Sequence, residues 1–422
     1  MENSFPSRVS PDGRTFLDRQ GQPFFWLGDT AWSLFTNCTL ESAKAYLTKR
    51  ASQGFTIIQC VLTWFVSGET WDSSRIAPNL QGEHPWKECD PAQPNPAYFE
   101  NVDAILRLSQ DLNLTLAILP TWGNVVTDLR LFTADNARQY GIWLGQRYRT
   151  CPNLVWINGG DCLPHGFEDV FDALAEGLRQ GDGGAHLITF HPCHLHSSSQ
   201  YFNDRAWYDF HMIQSWTDWH KVYESVLSDL LVTPARPVVL GEGAYESGPE
   251  YPRGPITPLV ARRQAWWAIM AGGYATYGHN AIWRAGRGWE AALDSPGAVQ
   301  MGIFKQIVCA LPWWQRLPDP SILEEGTGDG ETRNAAVRSL DGSWLLVYLS
   351  SRTHVLVRLE KLAAQQARAT WINPATGERK DAGEYVTYTL PGFRQVRTTC
   401  YQWFTTPDYW EDAVLLLEGI SE

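Results

Sequence analysis

NLVWINGGD, residues 153–161, is an apolar, partly β-branched run that stops at two glycines and an aspartate. It is too short for a helix, and glycines bound it, so it reads as a strand buried on both faces with an acid at its C-terminal end. A second run of the same kind, PVVLGEGAYE (237–246), also ends in a glycine-flanked acid. Outward from these two, six more runs share the pattern: FFWLGDTA (24–31), TIIQCVLTW (56–64), TLAILPTWG (115–123), LITFHPC (187–193), WYDFHMIQSW (207–216) and YATYGHNAIW (274–283). Amphipathic helical stretches fill most of the gaps. Thr39, Thr133 and Thr257 stand as N-caps, and Gly272 stands as a stop. Only the link between the fifth and sixth runs lacks a clear helix. Eight continuous apolar strands with helices between them predict a parallel (β/α)₈ barrel. No GxGxxG turn follows the first strand, so a dinucleotide fold is not supported.

The pattern changes near residue 318. Helical periodicity fades, and NAAVRSLD, WLLVYLSS, HVLVRLEKL, ATWINPATGE, YVTYTLP and DAVLLLEG read as strands, separated by the turns LDGS, NPATGE and LPGF. The expected organisation is a catalytic barrel over 1–317 and a small antiparallel β-sandwich over 318–422. A chain of 422 residues exceeds what one core usually supports, which agrees with two domains.

The net charge is −12, and no Lys/Arg run occurs. This disfavours nucleic acid and anionic membranes as partners and leaves a neutral substrate as the natural ligand. The start, MENSFPSRVSPDGRTF, lacks the cationic and apolar regions of a secretion signal, and no apolar run is long enough to span a bilayer. The eight cysteines are scattered without a CxxC pair. The expectation is a reduced, cytoplasmic chain, its oligomeric state open. The 21 tryptophans are the outlier. Many fall at strand ends or in loops (Trp26, Trp32, Trp64, Trp71, Trp122, Trp156, Trp216, Trp283), which suits a Trp-lined cleft, although core packing accounts for more than half of them.

In such a barrel, catalytic groups sit at the C-terminal strand ends. Carboxylates cluster there on the first, fourth and seventh strands, among amides, histidines and indoles. Glycoside hydrolysis needs one acid to protonate the leaving oxygen and a second carboxylate to attack or to activate water. Strands four and seven lie on roughly opposite sides of the barrel, so Asp161 is expected as general acid and Glu242 as nucleophile or base. The alternatives stay open: Asp161 as a helix cap or Arg-paired acid, and Glu246 as the second catalytic acid, although strand direction favours Glu242. Asp29, Trp64, Trp122, His211, Gln214, Glu246 and Trp283 complete the expected site as substrate-binding groups. A satisfied core role is the competing reading for His211 and His279. His191, His194 and His196 in FHPCHLH make a divalent-metal site conceivable. No carboxylate sits at ligand spacing among them and HExxH is absent, so neither metal nor cofactor is assigned.

VSPDGRTFLDRQGQPFFWLGDTAWSLF, GFTIIQCVLTW, NLVWINGGD, FHMIQSW and PVVLGEGAYE resemble the apiosidase-like glycoside hydrolases. In these a (β/α)₈ barrel precedes a β-sandwich labelled a collagen-binding domain, and TWINPATGE with the closing DAVLLLE looks like that sandwich. The resemblance covers nearly the whole chain. It implies removal of the branched pentose apiose from plant polysaccharide side chains, an acid at the GGD aspartate, Asp161, and a partner Glu in GExxYE, Glu242. Many relatives carry Pro-Cys after that first Glu, where this chain has Gly243-Ala244. They are also often exported, so a small imported glycoside is the expected substrate. The expected function is thus an exo-acting glycosidase on a neutral plant pentoside such as an apioside. The competing classes are a metal-dependent hydrolase or isomerase on the same barrel and a non-catalytic carbohydrate-binding protein. The sandwich is expected to act as a buttress.

Overall fold

The structure is a computed structural model that describes residues 4–66, 72–248, 254–387 and 400–420. Trp71 and the LPGF turn at 390–393 lie outside the described residues. The eight runs form eight strands: β1 (Leu27–Thr30), β2 (Ile57–Val61), β3 (Thr115–Leu119), β4 (Leu154–Cys162), β5 (Ile188–Pro192), β6 (His211–Gln214), β7 (Val238–Glu242) and β8 (Tyr274–Tyr277). They pair in parallel in the order β5-β4-β3-β2-β1-β8-β7-β6. The ring is a nearly closed (β/α)₈ barrel whose ladder opens between β5 and β6. There one backbone bond and two side-chain bonds stand in for the ladder: Asp209 N donates to Ile188 O at 2.9 Å, Ile188 N to Asp209 Oδ2 at 2.7 Å and Thr189 Oγ1 to Phe210 O at 2.5 Å. The same link carries only a one-turn helix, Ser199–Phe202, which is why it showed no helical periodicity.

Every residue of these eight strands is buried except Asp161. Strands covered by helices outside and packed against each other inside lose the polar/apolar alternation of a half-solvated sheet.

The covering helices are α1 (Leu40–Ser52), α2 (Pro96–Asp111), α3 (Ala134–Tyr148), α4 (Glu168–Asp182), α5 (Val222–Leu230), α6 (Pro258–Met270) and α7 (Pro296–Cys309). Thr39 accepts from Ser42 N, Thr257 accepts from Val260 N, and Thr133 forms a reciprocal capping box with Asn136. Gly272 has φ +96° just past α6, as its role of stop requires.

The C-terminal part holds β9 (Arg316–Pro318), β10 (Leu323–Glu325), β11 (Ala335–Ser339), β12 (Trp344–Leu349), β13 (His354–Arg358), β14 (Gln366–Ile372), β15 (Arg379–Val386), β16 (Tyr401–Thr405) and β17 (Ala413–Ile420). Six strands form one antiparallel sheet in the order β9-β11-β12-β17-β14-β15, and β10-β13-β16 form a second. The run WLLVYL is apolar throughout because β12 is buried on both faces. Leu345, Val347 and Leu349 pack inside the sandwich, while Trp344, Leu346 and Tyr348 join the barrel core. YVTYTLP was expected as a strand; within the described residues the strand covers Arg379–Val386, earlier in the chain. Its mostly exposed polar residues mark an edge and carry no apolar pattern to read.

Helix α6 joins the two domains. It is buried on nearly all sides, as a helix between two layers must be. Trp266 stacks on Tyr348 with centroids 5.4 Å apart. The Arg262 guanidinium, only 2% exposed, grips Asp412 by Nε to Oδ2 at 2.9 Å and by Nη2 to Oδ1 at 2.8 Å. The Tyr348 hydroxyl donates to the same carboxylate at 2.9 Å. All eight cysteines lie among the described residues and are free thiols. No helix among the described residues is long and apolar enough to cross a membrane.

Candidate active site

Both acids expected to carry the chemistry stand on interruptions of the barrel ladder. Between β4 and β5 the register passes from Gly159 opposite His191 to Cys162 opposite Pro192, so Gly160 and Asp161 have no counterpart. The backbone turns left-handed through Gly159 (φ +81°), Gly160 (φ +114°) and Asp161 (φ +46°). A Cβ at Gly160 would lie 2.7 Å from the Trp122 ring, so glycine there lets the indole lie against the strand. Between β6 and β7 the register passes from Ile213–Leu240 to Gln214–Glu242, skipping Gly241. The extra residues bend each strand and re-aim the side chain that follows. From within the barrel, Gln59 Nε2 donates to Gly241 O at 2.7 Å and steadies the second bulge.

These bulges bring Asp161 and Glu242 together with His191, with one ligand-capable atom of each lying within 4.8 Å of the other two. Gln214 Nε2 donates to Asp161 Oδ1 at 2.6 Å. Protein atoms crowd the Asp161 carboxyl on several sides while its outer edge stays open to the mouth. Loss of water, and then the charge of Glu242, push its pKa up to about 7, against the opposing pull of His191 and Gln214. His191 Nδ1 lies 2.9 Å from Pro192 O, an acceptor only, so Nδ1 carries a proton. Its Nε2 faces Glu242 Oε2 at 3.1 Å, at an angle outside good hydrogen-bond geometry. Burial works against the imidazolium, yet the contact with Glu242 and the charges of both acids outweigh it and raise the His191 pKa.

An aromatic wall stands over this trio. Trp122 meets Trp64 edge-on at 4.6 Å and Trp32 at 5.0 Å. Trp32 also meets the His191 ring at 5.6 Å, and Trp283 extends the wall 6.5 Å from Trp64. Trp32 Nε1 is fixed by the Tyr245 hydroxyl at 2.9 Å. Buried beside them, Gln214 Oε1 and Ser215 Oγ have no partner among the described residues. Acids, an amide, a hydroxyl and indole faces on one mouth can hold a sugar ring by its hydroxyls and its C–H face.

Of the expected site residues, Asp161, Glu242, Gln214, Trp64, Trp122 and Trp283 converge, and three others lie elsewhere. Asp29 points away from the barrel axis and is fully buried. Its Oδ2 accepts from the Tyr46 hydroxyl at 2.7 Å and from Arg50 Nε at 2.5 Å, both on α1. On a period of two, Gly28 and Thr30 take the inward positions. Glu246 accepts from the Tyr277 hydroxyl at 2.5 Å and from Gly297 N at 3.2 Å, which anchors the start of α7. Burial raises its pKa. His211 begins β6 rather than ending it. Its Nδ1 meets the Tyr208 hydroxyl at 2.9 Å, and burial, with Arg236 nearby, pushes its pKa down to about 4, so it is a neutral core imidazole.

The three clustered histidines separate. A left-handed turn at Leu195 (φ +59°) breaks the extended run that would have given His194 and His196 a common face. His194 pairs with Asp218 at 2.9 Å, and His196 meets the Tyr201 hydroxyl at 2.7 Å. His191 alone faces the acids. Its position at the end of β5 was the available signal, obscured by grouping it with its sequence neighbours.

This barrel and mouth are those of a glycoside hydrolase. Two solved structures share the architecture over almost the entire chain. One, described as a glycoside hydrolase, is 26% identical with a TM-score of 0.87, covering 99% of this chain and 98% of its own. The other, a glycoside hydrolase family 5 protein from Bacteroides vulgatus, is 26% identical with a TM-score of 0.87, covering 98% and 93%. Residues 10–315 match the family "Apiosidase-like, catalytic domain", and the chain belongs to that family. Residues 317–418 match the "Putative collagen-binding domain of a collagenase". A search among curated proteins found no match. The protein is a glycosidase, and its substrate is a carbohydrate.

Proposed function

We propose that the protein is an exo-acting, retaining glycosidase that releases a neutral pentose such as apiose, with Asp161 as general acid and Glu242 as nucleophile. One observation carries the reading: the single exposed residue on eight otherwise buried strands is Asp161, and it converges with Glu242 within 4.8 Å. Retaining enzymes hold their carboxyls about 5–5.5 Å apart, whereas inverting ones need about 6.5–9.5 Å to admit a water. One oxygen of each carboxyl lying within 4.8 Å of the other supports the closer, retaining spacing and direct attack. Asp161, protonated below about 7, gives its proton to the leaving oxygen while Glu242 attacks the anomeric carbon. Asp161 then deprotonates the water that releases the sugar. His191 is a positioning residue that faces Glu242, and Gln214 aims Asp161. The wall of Trp32, Trp64 and Trp122 closes one side of the ring site, which suits a small terminal sugar.

A panel of methyl, 4-nitrophenyl and disaccharide glycosides of neutral pentoses, apiosides among them, tests the specificity. Release of apiose is expected, with one anomer formed first and of unchanged configuration by NMR. Release of a different sugar, or inversion, would refute the corresponding part.

The acid role carries a pH signature. For methyl apioside, kcat/KM should fall about tenfold per unit above pH ~7, because the carboxyl must keep its proton to donate it. With 4-nitrophenyl apioside, whose leaving group needs no proton, that basic limb should flatten. A limb identical for both substrates would remove Asp161 from the acid role. A second reading, metal-dependent hydrolysis, draws on the same trio, since one imidazole and two carboxylates can also bind a divalent ion. Activity lost to EDTA and restored by one divalent metal would favour it.

A further inference from the structure

Trp216 stands two residues beyond Gln214 on the rim of the mouth. It is 39% exposed, whereas Trp32, Trp64 and Trp122 are at most 5% exposed. Its backbone is left-handed at φ +37°, a conformation that bulky side chains avoid. Leu195, on the other side of Gln214, repeats both features, with 39% exposure and φ +59°. Two large apolar side chains are thus held on strained backbone and partly shown to solvent.

The surroundings fix both in place. Leu195 N donates to Gln214 O at 2.9 Å, and Ser215 N donates to Glu242 O at 2.9 Å. The His194 ring meets the Trp216 indole edge-on at 5.7 Å. His194 is itself held by Asp218 at 2.9 Å and by Thr217 Oγ1 at 3.2 Å. The indole is therefore braced and partly exposed, close in the chain to the Gln214 amide that holds Asp161.

We propose that Trp216, with Leu195, forms the binding platform for the leaving group, taking the C–H face of a pyranose attached to the terminal pentose. The inference rests on Asp161 being the acid, because the group that receives its proton must lie on its side of the scissile bond. An indole face stacks well on the apolar face of a sugar ring. The buried tryptophans grip the pentose that passes to Glu242, and the exposed one selects the group that leaves.

The test compares three probes: an apiosyl disaccharide with a pyranose leaving group, methyl apioside and 4-nitrophenyl apioside. Trp216→Gly should raise KM for the disaccharide about tenfold with kcat nearly unchanged, and should leave methyl apioside unaffected. Glycine suits the left-handed backbone and offsets the lost indole contacts, so the same variant should keep a Tm close to wild type. A purely structural tryptophan would instead lower Tm with no substrate selectivity. Trp216→Phe should restore most of the disaccharide affinity. An unchanged disaccharide KM in Trp216→Gly overturns the platform and leaves the glycosidase reading standing. A rise for 4-nitrophenyl apioside alone overturns the pyranose assignment. Silence of the wild type on all three probes overturns the apioside reading, and this inference with it.

Discussion

Glu242→Gln is expected to lower kcat by about 10³–10⁴-fold and to leave the fold intact. The side chain is buried, and the one contact that an amide would weaken is that of Oε2 with His191 Nε2 at 3.1 Å, whose geometry falls outside a good hydrogen bond. The discriminating experiment removes the side chain altogether. With Glu242→Ala, added azide should attack the open anomeric face and give a glycosyl azide of inverted configuration. With Asp161→Ala, azide should intercept the glycosyl-enzyme and give the retained anomer. These opposite products follow from which face of the ring each carboxylate occupies. The same anomer from both variants would reject the assignment of roles, and full activity in Glu242→Gln would remove Glu242 from the chemistry.

Asp412→Ala should destabilise the protein by about 3–5 kcal/mol, far from the mouth. Arg262 and Asp412 are 2% and 1% exposed and lie between barrel and sandwich. Removing the carboxylate leaves the buried guanidinium only Gln300 Oε1 at 3.0 Å and the exposed Glu411 at 3.1 Å, along with a Tyr348 hydroxyl that loses its acceptor. Replacing both charges, Arg262→Met with Asp412→Leu, should recover much of the loss, because no unpaired charge then remains buried. Thermal or urea unfolding measures both. A small change in Asp412→Ala would mean that the sandwich is not a buttress held through this pair. If the loss is large, kcat measured below the new midpoint should stay near wild type, separating the buttress from the site.

Much of the barrel was legible in the sequence because its signals are local. Capping threonines, apolar runs of strand length and terminating glycines each act within a few residues of themselves. The GGD and GE strand ends could be read for the same reason: glycine before an acid marks a backbone that leaves the ladder, and the structure places register shifts at both points. Where the reading failed, the needed information was not local. Asp29 looks like a strand-end acid, but a strand buried on both faces has no polar alternation to tell inward from outward. Only Arg50 on the neighbouring helix reveals the side it faces. Glu246 follows the strand end that carries Glu242 yet anchors the start of a helix fifty residues later in the chain. The three histidines were adjacent in sequence, and one left-handed residue sent them to three different neighbours. Strand β15 has no apolar period because an edge in solvent does not need one.

From the sequence alone came the class of fold, two strand-end carboxylates that the structure brings together and the indole-rich mouth, all consequences of short-range pattern and of what a barrel does with its strand ends. Tertiary structure alone decided which nominal site residues come together, that His191 joins the acids, how close the carboxyls lie and which tryptophans meet water. Those depend on distances between segments far apart in the chain, which local propensity does not encode and close packing does.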